Sequence, residues 1–71
     1  MEFDDIKNLS LPELEILLAA KFKSLHLLNV MEDEILESGI SHRELITTRD
    51  QILDDILMIQ ALLKKLNHDA G

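Results

Sequence analysis

The chain has 71 residues, with 14 acidic residues against 7 basic ones, a net charge of −7, and no cysteine. A single domain of this length buries only about 60% of the surface that its unfolded chain exposes, and without cysteine it has neither a disulfide nor a cysteine-ligated zinc site to stabilise it. The acidic balance disfavours direct contact with nucleic acid and no apolar run is long enough to span a bilayer, so we expect a cytoplasmic protein that gains stability from a partner subunit.

The first structural signals lie near the N-terminus. Phe3, Ile6 and Leu9 recur at every third residue, which predicts a short helical turn with its apolar side on the rest of the chain. Ser10 and Glu13 have the spacing of a capping box, in which each side chain accepts a hydrogen bond from the other residue's backbone amide. A long helix is therefore predicted to begin at about residue 11.

The middle of the chain contains one predicted helix end and one predicted helix start. Gly39 can adopt the left-handed conformation that ends a helix, and Ser41 with Glu44 forms a second capping box directly after it. The predicted elements are a helix over residues 11–37, a turn over 38–41, a helix over 42–67 and a frayed tail over 68–71. Long helices joined by so short a turn predict an all-α fold, an antiparallel helical hairpin in one domain over residues 1–71.

The apolar residues exceed what two helices can bury. One seam of the second helix recurs at heptad spacing and is predicted to face the first helix; it comprises Leu45, Ile52, Ile56, Ile59, Leu63 and Leu66. Further apolar residues lie outside that contact, and these are Ile46, Leu53 and Leu57 on the second helix and Leu17, Leu27 and Met31 on the first. We predict that a homodimer covers them in a four-helix bundle, or that they form a groove for a partner protein's helix.

Residues that could catalyse a reaction or hold a metal are not arranged to do so. The two capping serines are already used, and Ser24 has no histidine one turn away. His26, His42 and His68 have no carboxylate or second histidine three or four residues further along. There is no glycine-rich phosphate loop. We therefore predict no enzyme, no cofactor, no metal site and no small-molecule substrate.

Four acidic residues crowd the predicted C-terminal turns of the first helix, and these are Glu32, Asp33, Glu34 and Glu37. The negative end of the helix dipole disfavours each of them there by a few tenths of a kcal/mol or more. A local rule broken without compensation is a candidate for function. We predict that this acidic tip docks a basic protein partner; a solvated turn relieved by His42 and Arg43 is the alternative.

A secondary acidic set lies on the second helix and comprises Asp50, Asp54 and Asp55. It is predicted to occupy the outer side of that helix. The antiparallel pairing brings the last two of these carboxylates near Lys23, so an internal ion pair competes with a docking role. Lys21 falls within the apolar sector of the first helix, where its stem is predicted to lie along the core.

Three families share short motifs with the chain. The motifs Leu9-Ser10 with Glu13, Leu17-Leu18, Glu34-Ile35 and Leu45-Ile46-Thr47 followed by Asp50 resemble the small acidic antirepressors of the transition-state regulator AbrB. This resemblance implies a dimer whose acidic surface occupies the DNA-binding face of a basic regulator.

A second resemblance is carried by Gly39-Ile40-Ser41 followed by Gln51-Ile52-Leu53-Asp54. This segment is similar to the sporulation aspartyl-phosphate phosphatases, with Asp50 in place of that family's serine. This second likeness implies that Gln51 and Asp54 face a phosphoaspartate.

The third resemblance is to the small hairpin co-chaperones of type III secretion needle subunits, and it rests on the glycine turn and the Ile52 to Ile59 pattern. The leading functional prediction is a non-enzymatic adaptor or antagonist, like an antirepressor, that binds and inhibits a basic regulatory protein. A co-chaperone that binds through its apolar face and a regulator of response-regulator phosphorylation are the alternatives.

Overall fold

Helices account for most of the described chain. A computed structural model describes residues 2–70, with side chains for residues 2–68. The helices are α1 (Phe3–Ile6), α2 (Leu11–Val30), α3 (Glu32–Glu37) and α4 (His42–Ala70). No strand occurs between residues 2 and 70. The predicted all-α class is confirmed.

The start of α2 follows the predicted capping box. The Glu13 amide donates to Ser10 Oγ at 3.3 Å, and the Ser10 amide donates to Glu13 Oε1 at 3.2 Å. Ser10 Oγ also donates to Glu13 Oε1 at 2.8 Å. Because the Ser10 side chain and then the Ser10 amide donate to the carboxylate, the pKa of Glu13 lies below its ordinary value. The charged form of Glu13 therefore stabilises the first turn.

The helix predicted over residues 11–37 is broken at Met31, whose φ of −98° and ψ of 13° depart from helical geometry. The Met31 amide still donates to the Leu27 carbonyl, and the Ile35 amide donates to the Met31 carbonyl, both at 2.9 Å. The acidic run supplies a physical reason for the break. In a continuous helix these acids lie near the unfavourable C-terminal end, whereas after the break they fall in the first turn of α3.

The turn between α3 and α4 is built around Gly39. Its φ of +105° lies in the region that favours glycine, and its amide donates to the Leu36 carbonyl at 3.2 Å. The Glu44 amide then donates to Ser41 Oγ at 3.1 Å, which is one of the two hydrogen bonds of the predicted capping box and caps α4. α4 continues to Ala70, beyond the predicted end at residue 67, because no glycine or proline interrupts it earlier. Of the predicted frayed tail, residues 68–70 are helical and residue 71 lies outside the described part.

The core lies where α1, α2 and α4 meet. Ile6, Leu14, Ile59 and Leu62 form one buried cluster, and Leu45 and Ile56 are buried elsewhere along α4. Contacts between α2 and α4 run in opposite sequence order, since Leu14 clusters with Ile59 while Lys21 contacts Asp55. The two helices are therefore antiparallel. The predicted N-terminal turn packs through Ile6, whereas Phe3 is half exposed.

Candidate interaction surfaces

The four residues of the predicted acidic tip do not share one environment. Asp33, Glu34 and Glu37 are exposed, and Glu32 is half-buried. Because α3 begins at Glu32, three of the four lie in a first turn, where the helix dipole favours acids. The prediction that the helix dipole disfavours all four acids is therefore wrong. At most Glu37 lies where the dipole is unfavourable. Between residues 2 and 68, no cation lies within ion-pair distance of the three exposed carboxylates.

Glu32 has a structural partner on α4. Arg49 Nη2 lies 3.4 Å from Glu32 Oε1, and both side chains are partly exposed. Arg49 Nε is buried and has no hydrogen-bond partner among the described residues. The pair joins α3 to α4 beside the break at Met31. Because Arg49 already contacts Glu32, three members of the predicted tip are left open to a partner.

A second ion pair joins the two long helices near their middle. Lys21 Nζ lies 2.9 Å from Asp55 Oδ2, and their side chains are 26% and 12% exposed. Burial raises the pKa of Asp55, but the hydrogen bond and positive charge of Lys21 lower it, and the pKa lies below its ordinary value of 3.8. The carboxylate is thus charged although it is largely removed from water.

This ion pair corrects two predictions. Asp55 is buried and is not part of the outer acidic surface, whereas Asp50 and Asp54 are exposed. The lysine that contacts Asp55 is Lys21, which is two residues before the predicted neighbour Lys23. The sequence contained a signal for both corrections. Asp55 lies three residues after Ile52 and four before Ile59, both in the predicted seam, which places it on the buried side of α4. That side faces α2, where Lys21 lies in the apolar sector.

Large apolar side chains remain uncovered along the length of the molecule. At least ten of them are 40% or more exposed, namely Phe3, Ile16, Phe22, Leu27, Val30, Met31, Ile40, Ile46, Leu53 and Leu57. Of the apolar residues predicted to lie outside the contact between the helices, only Leu17 is half-buried, because it packs against the core cluster. Exposure on this scale is unusual for a chain that acts alone.

The exposed leucines of α4, Leu53 and Leu57, lie away from the core cluster. Met58 packs against the cluster that contains Ile6. On a helical wheel Met58 lies roughly 100° to one side of Ile59, whereas Leu53 and Leu57 lie roughly 120° and 160° to the other. The core cluster therefore covers the Met58 side of α4. Leu53 and Leu57 lie on the other side of the helix and are exposed.

Side chains that could bind a metal or take part in catalysis lie apart from one another in the described chain. His26, His42 and His68 are all exposed, and no group of three or more His, Asp or Glu side chains there is placed to hold a metal ion. Gln51 and Asp54 are both exposed on α4. Within residues 2–70, no helix combines the length and the apolar character needed to cross a membrane.

Comparison with known proteins adds no relative. No protein-family model, curated protein or solved structure matches the chain.

Proposed function

We propose that the chain is a non-enzymatic protein–protein interaction module, an acidic adaptor or antagonist that binds a basic regulatory protein. In this proposal the antiparallel α2 and α4 form a helical hairpin, and two copies associate into a four-helix homodimer. The observation that carries the proposal is the large exposed apolar surface. A chain with so small a core gains stability when a partner covers such a surface.

The partner is proposed to dock where exposed apolar and acidic side chains follow one another along the chain. This junction surface consists of Leu27, Val30 and Met31 at the end of α2 and Asp33, Glu34 and Glu37 of α3, all of them exposed. An amphipathic helix with basic flanks is complementary to such a surface, because its apolar residues contact the first group and its lysines or arginines contact the second. Glu32 is left out, since Arg49 already contacts it.

A synthetic amphipathic helix of leucine and lysine serves as the probe for this surface. We expect Glu34→Lys to weaken its binding about five- to tenfold, because one attractive charge is replaced by a repulsive one. Glu15→Lys is the matched control, since Glu15 is also exposed but lies near the start of α2, and we expect less than a twofold effect. Fluorescence anisotropy at low and high salt measures both, and the difference should shrink as salt screens the charges.

Equal dissociation constants for the two variants would show that the acidic residues of the junction surface do not select the partner. Leu27→Asp provides a second test of the same surface. It is expected to weaken binding at all salt concentrations, because the contact it removes is apolar.

The two alternative functions are favoured by different exposed residues. A co-chaperone would bind through Leu53 and Leu57, so its binding would tolerate salt and fail when either leucine becomes Asp. A regulator of response-regulator phosphorylation would act through Gln51 and Asp54, so the purified chain would accelerate dephosphorylation of a response regulator and Asp54→Ala would abolish that effect.

A further inference from the structure

We propose that a second copy of the chain docks on the outer line of α4, with the two α4 helices antiparallel and centred on Leu53 and Leu57. The proposal rests on the homodimer of the proposed function and specifies which surface forms it. The outer line consists of Ile46, Asp50, Leu53, Leu57, Gln60 and Lys64, all of which are exposed.

The spacing of the outer line is that of a helix–helix seam. Its members alternate in steps of four and three residues, which keeps them on one stripe of the helix over about 27 Å. Leu53 and Leu57, which are 40% and 63% exposed, occupy the middle of the stripe. In an antiparallel pairing, Leu53 therefore faces Leu57 of the second copy and Leu57 faces Leu53, which gives a central cluster of four leucines.

The charges on α4 favour a second copy in this orientation. Asp50 and Asp54 lie before the centre of the outer line and Lys64 and Lys65 lie after it, and all four side chains are exposed. Antiparallel pairing brings Asp50 opposite Gln60 and within about one helical turn of Lys64 of the second copy. A parallel pairing would bring each aspartate against its own equivalent. A two-fold contact requires a self-complementary surface, and this distribution provides one.

The ends of the outer line fit the same pairing. Ile46 faces Lys64 of the second copy, whose aliphatic stem can lie along the isoleucine while its ammonium group stays in water. The two Asp54 side chains come near the two-fold axis at the rim of the contact, where they repel each other. Asp54→Asn is therefore expected to tighten the dimer.

The first test measures the mass of the full chain in solution by sedimentation equilibrium. We expect a dimer for the wild type at about 100 µM and a monomer for Leu57→Asp, because the variant buries a charge in the leucine cluster. Ile16→Asp is the matched control, since Ile16 is 71% exposed on α2 against 63% for Leu57, and it should remain dimeric. Circular dichroism verifies that each variant stays helical, and a helical Leu57→Asp dimer would overturn the proposal.

The second test measures orientation, and it uses the absence of native cysteine from the chain. Ile46→Cys and Lys64→Cys are prepared separately, mixed and oxidised. The antiparallel pairing predicts a disulfide-linked dimer in the mixture and little in either variant alone. Efficient cross-linking of either variant alone would show a parallel contact, and no cross-linking in the mixture would show that α4 does not meet α4. Both results overturn the proposal.

The failure of this dimer is distinguishable from failure of the proposed docking surface. A monomeric wild type that still binds the basic helix more strongly than Glu34→Lys does would overturn the α4 contact alone. A cross-linked antiparallel dimer with no preference between Glu34→Lys and Glu15→Lys would overturn the docking surface alone.

Discussion

At the scale of single residues, the contact between Lys21 and Asp55 is the main polar feature of the interior. Both side chains are mostly withdrawn from water, and the net worth of such a pair depends on whether its attraction exceeds the cost of desolvating two charges. Substituting one member of the pair therefore has a different effect on stability from substituting both. Lys21→Met removes the cation but leaves the Asp55 carboxylate largely withdrawn from water.

We expect Lys21→Met to lower the free energy of unfolding by about 1–3 kcal/mol, less than for a fully buried pair because Lys21 is partly solvated. The double variant Lys21→Met with Asp55→Leu should recover most of that loss. Urea unfolding at one fixed protein concentration measures both, and Lys23→Met is the exposed control, with a change of about 0.5 kcal/mol or less. Additive effects of Lys21→Met and Asp55→Leu would contradict the pairing.

The same pair gives the stability a defined pH dependence. The pKa of Asp55 is lowered on folding, so its contribution is fully present above the ordinary pKa of 3.8 and is lost as the pH falls through the folded value. Part of the acid sensitivity of the wild type should therefore be missing from Lys21→Met in the same unfolding measurements.

At the scale of the elements, the sequence predicted most helix ends because their signals are local. The Ser10–Glu13 box, the Gly39 turn and the Ser41 cap all act within four residues. The break at Met31 was missed because no glycine or proline marks it. The break moves the acidic run from the C-terminal end of one long helix, where the helix dipole disfavours it, to the first turn of α3, where the dipole favours it. The contact of Arg49 with Glu32 beside the break comes from a residue distant in the sequence.

Gly39→Ala tests the turn between α3 and α4. A β-carbon at this position would meet no atom within 4 Å, so the expected loss of about 1–2 kcal/mol in unfolding free energy comes from the positive φ and not from a clash. Gly39→Asn is the matched control and should lose less, because asparagine adopts left-handed conformations more readily. Chemical denaturation compares the variants, and an alanine variant as stable as the wild type would mean that the turn relaxes to a negative φ.

At the scale of the whole molecule, the described residues form an elongated body of 48 × 19 × 15 Å. Few side chains can lie far from the surface in a shape only two helices thick. The excess of apolar residues was therefore readable from the sequence, and so was the exposure of five of the six residues predicted to lie outside the contact between the helices. The exception is Leu17, which packs against the cluster that contains Ile6 of α1, a contact between residues distant in the sequence.

If association supplies stability that the small core lacks, the melting temperature should rise with protein concentration. Between about 2 and 200 µM we expect an increase of several degrees, since mass action favours the associated folded state. Differential scanning calorimetry measures the shift, with Leu57→Asp as the variant whose melting temperature should stay constant. A wild type with a constant melting temperature would mean that the folded chain is stable as a monomer over this range.

The Lys21–Asp55 contact also restricts how the two long helices can align. Two apolar helices can slide past one another by a turn and still bury leucines. In this chain, shifts of one or two turns in either direction would bring other residues opposite Lys21, and these are Thr48, Gln51, Ile52, Met58, Ile59 and Leu62. None of them is acidic, so every such shift would separate Lys21 from Asp55 without placing another carboxylate directly opposite the lysine. The ion pair therefore selects one alignment from several that hydrophobic burial alone would accept.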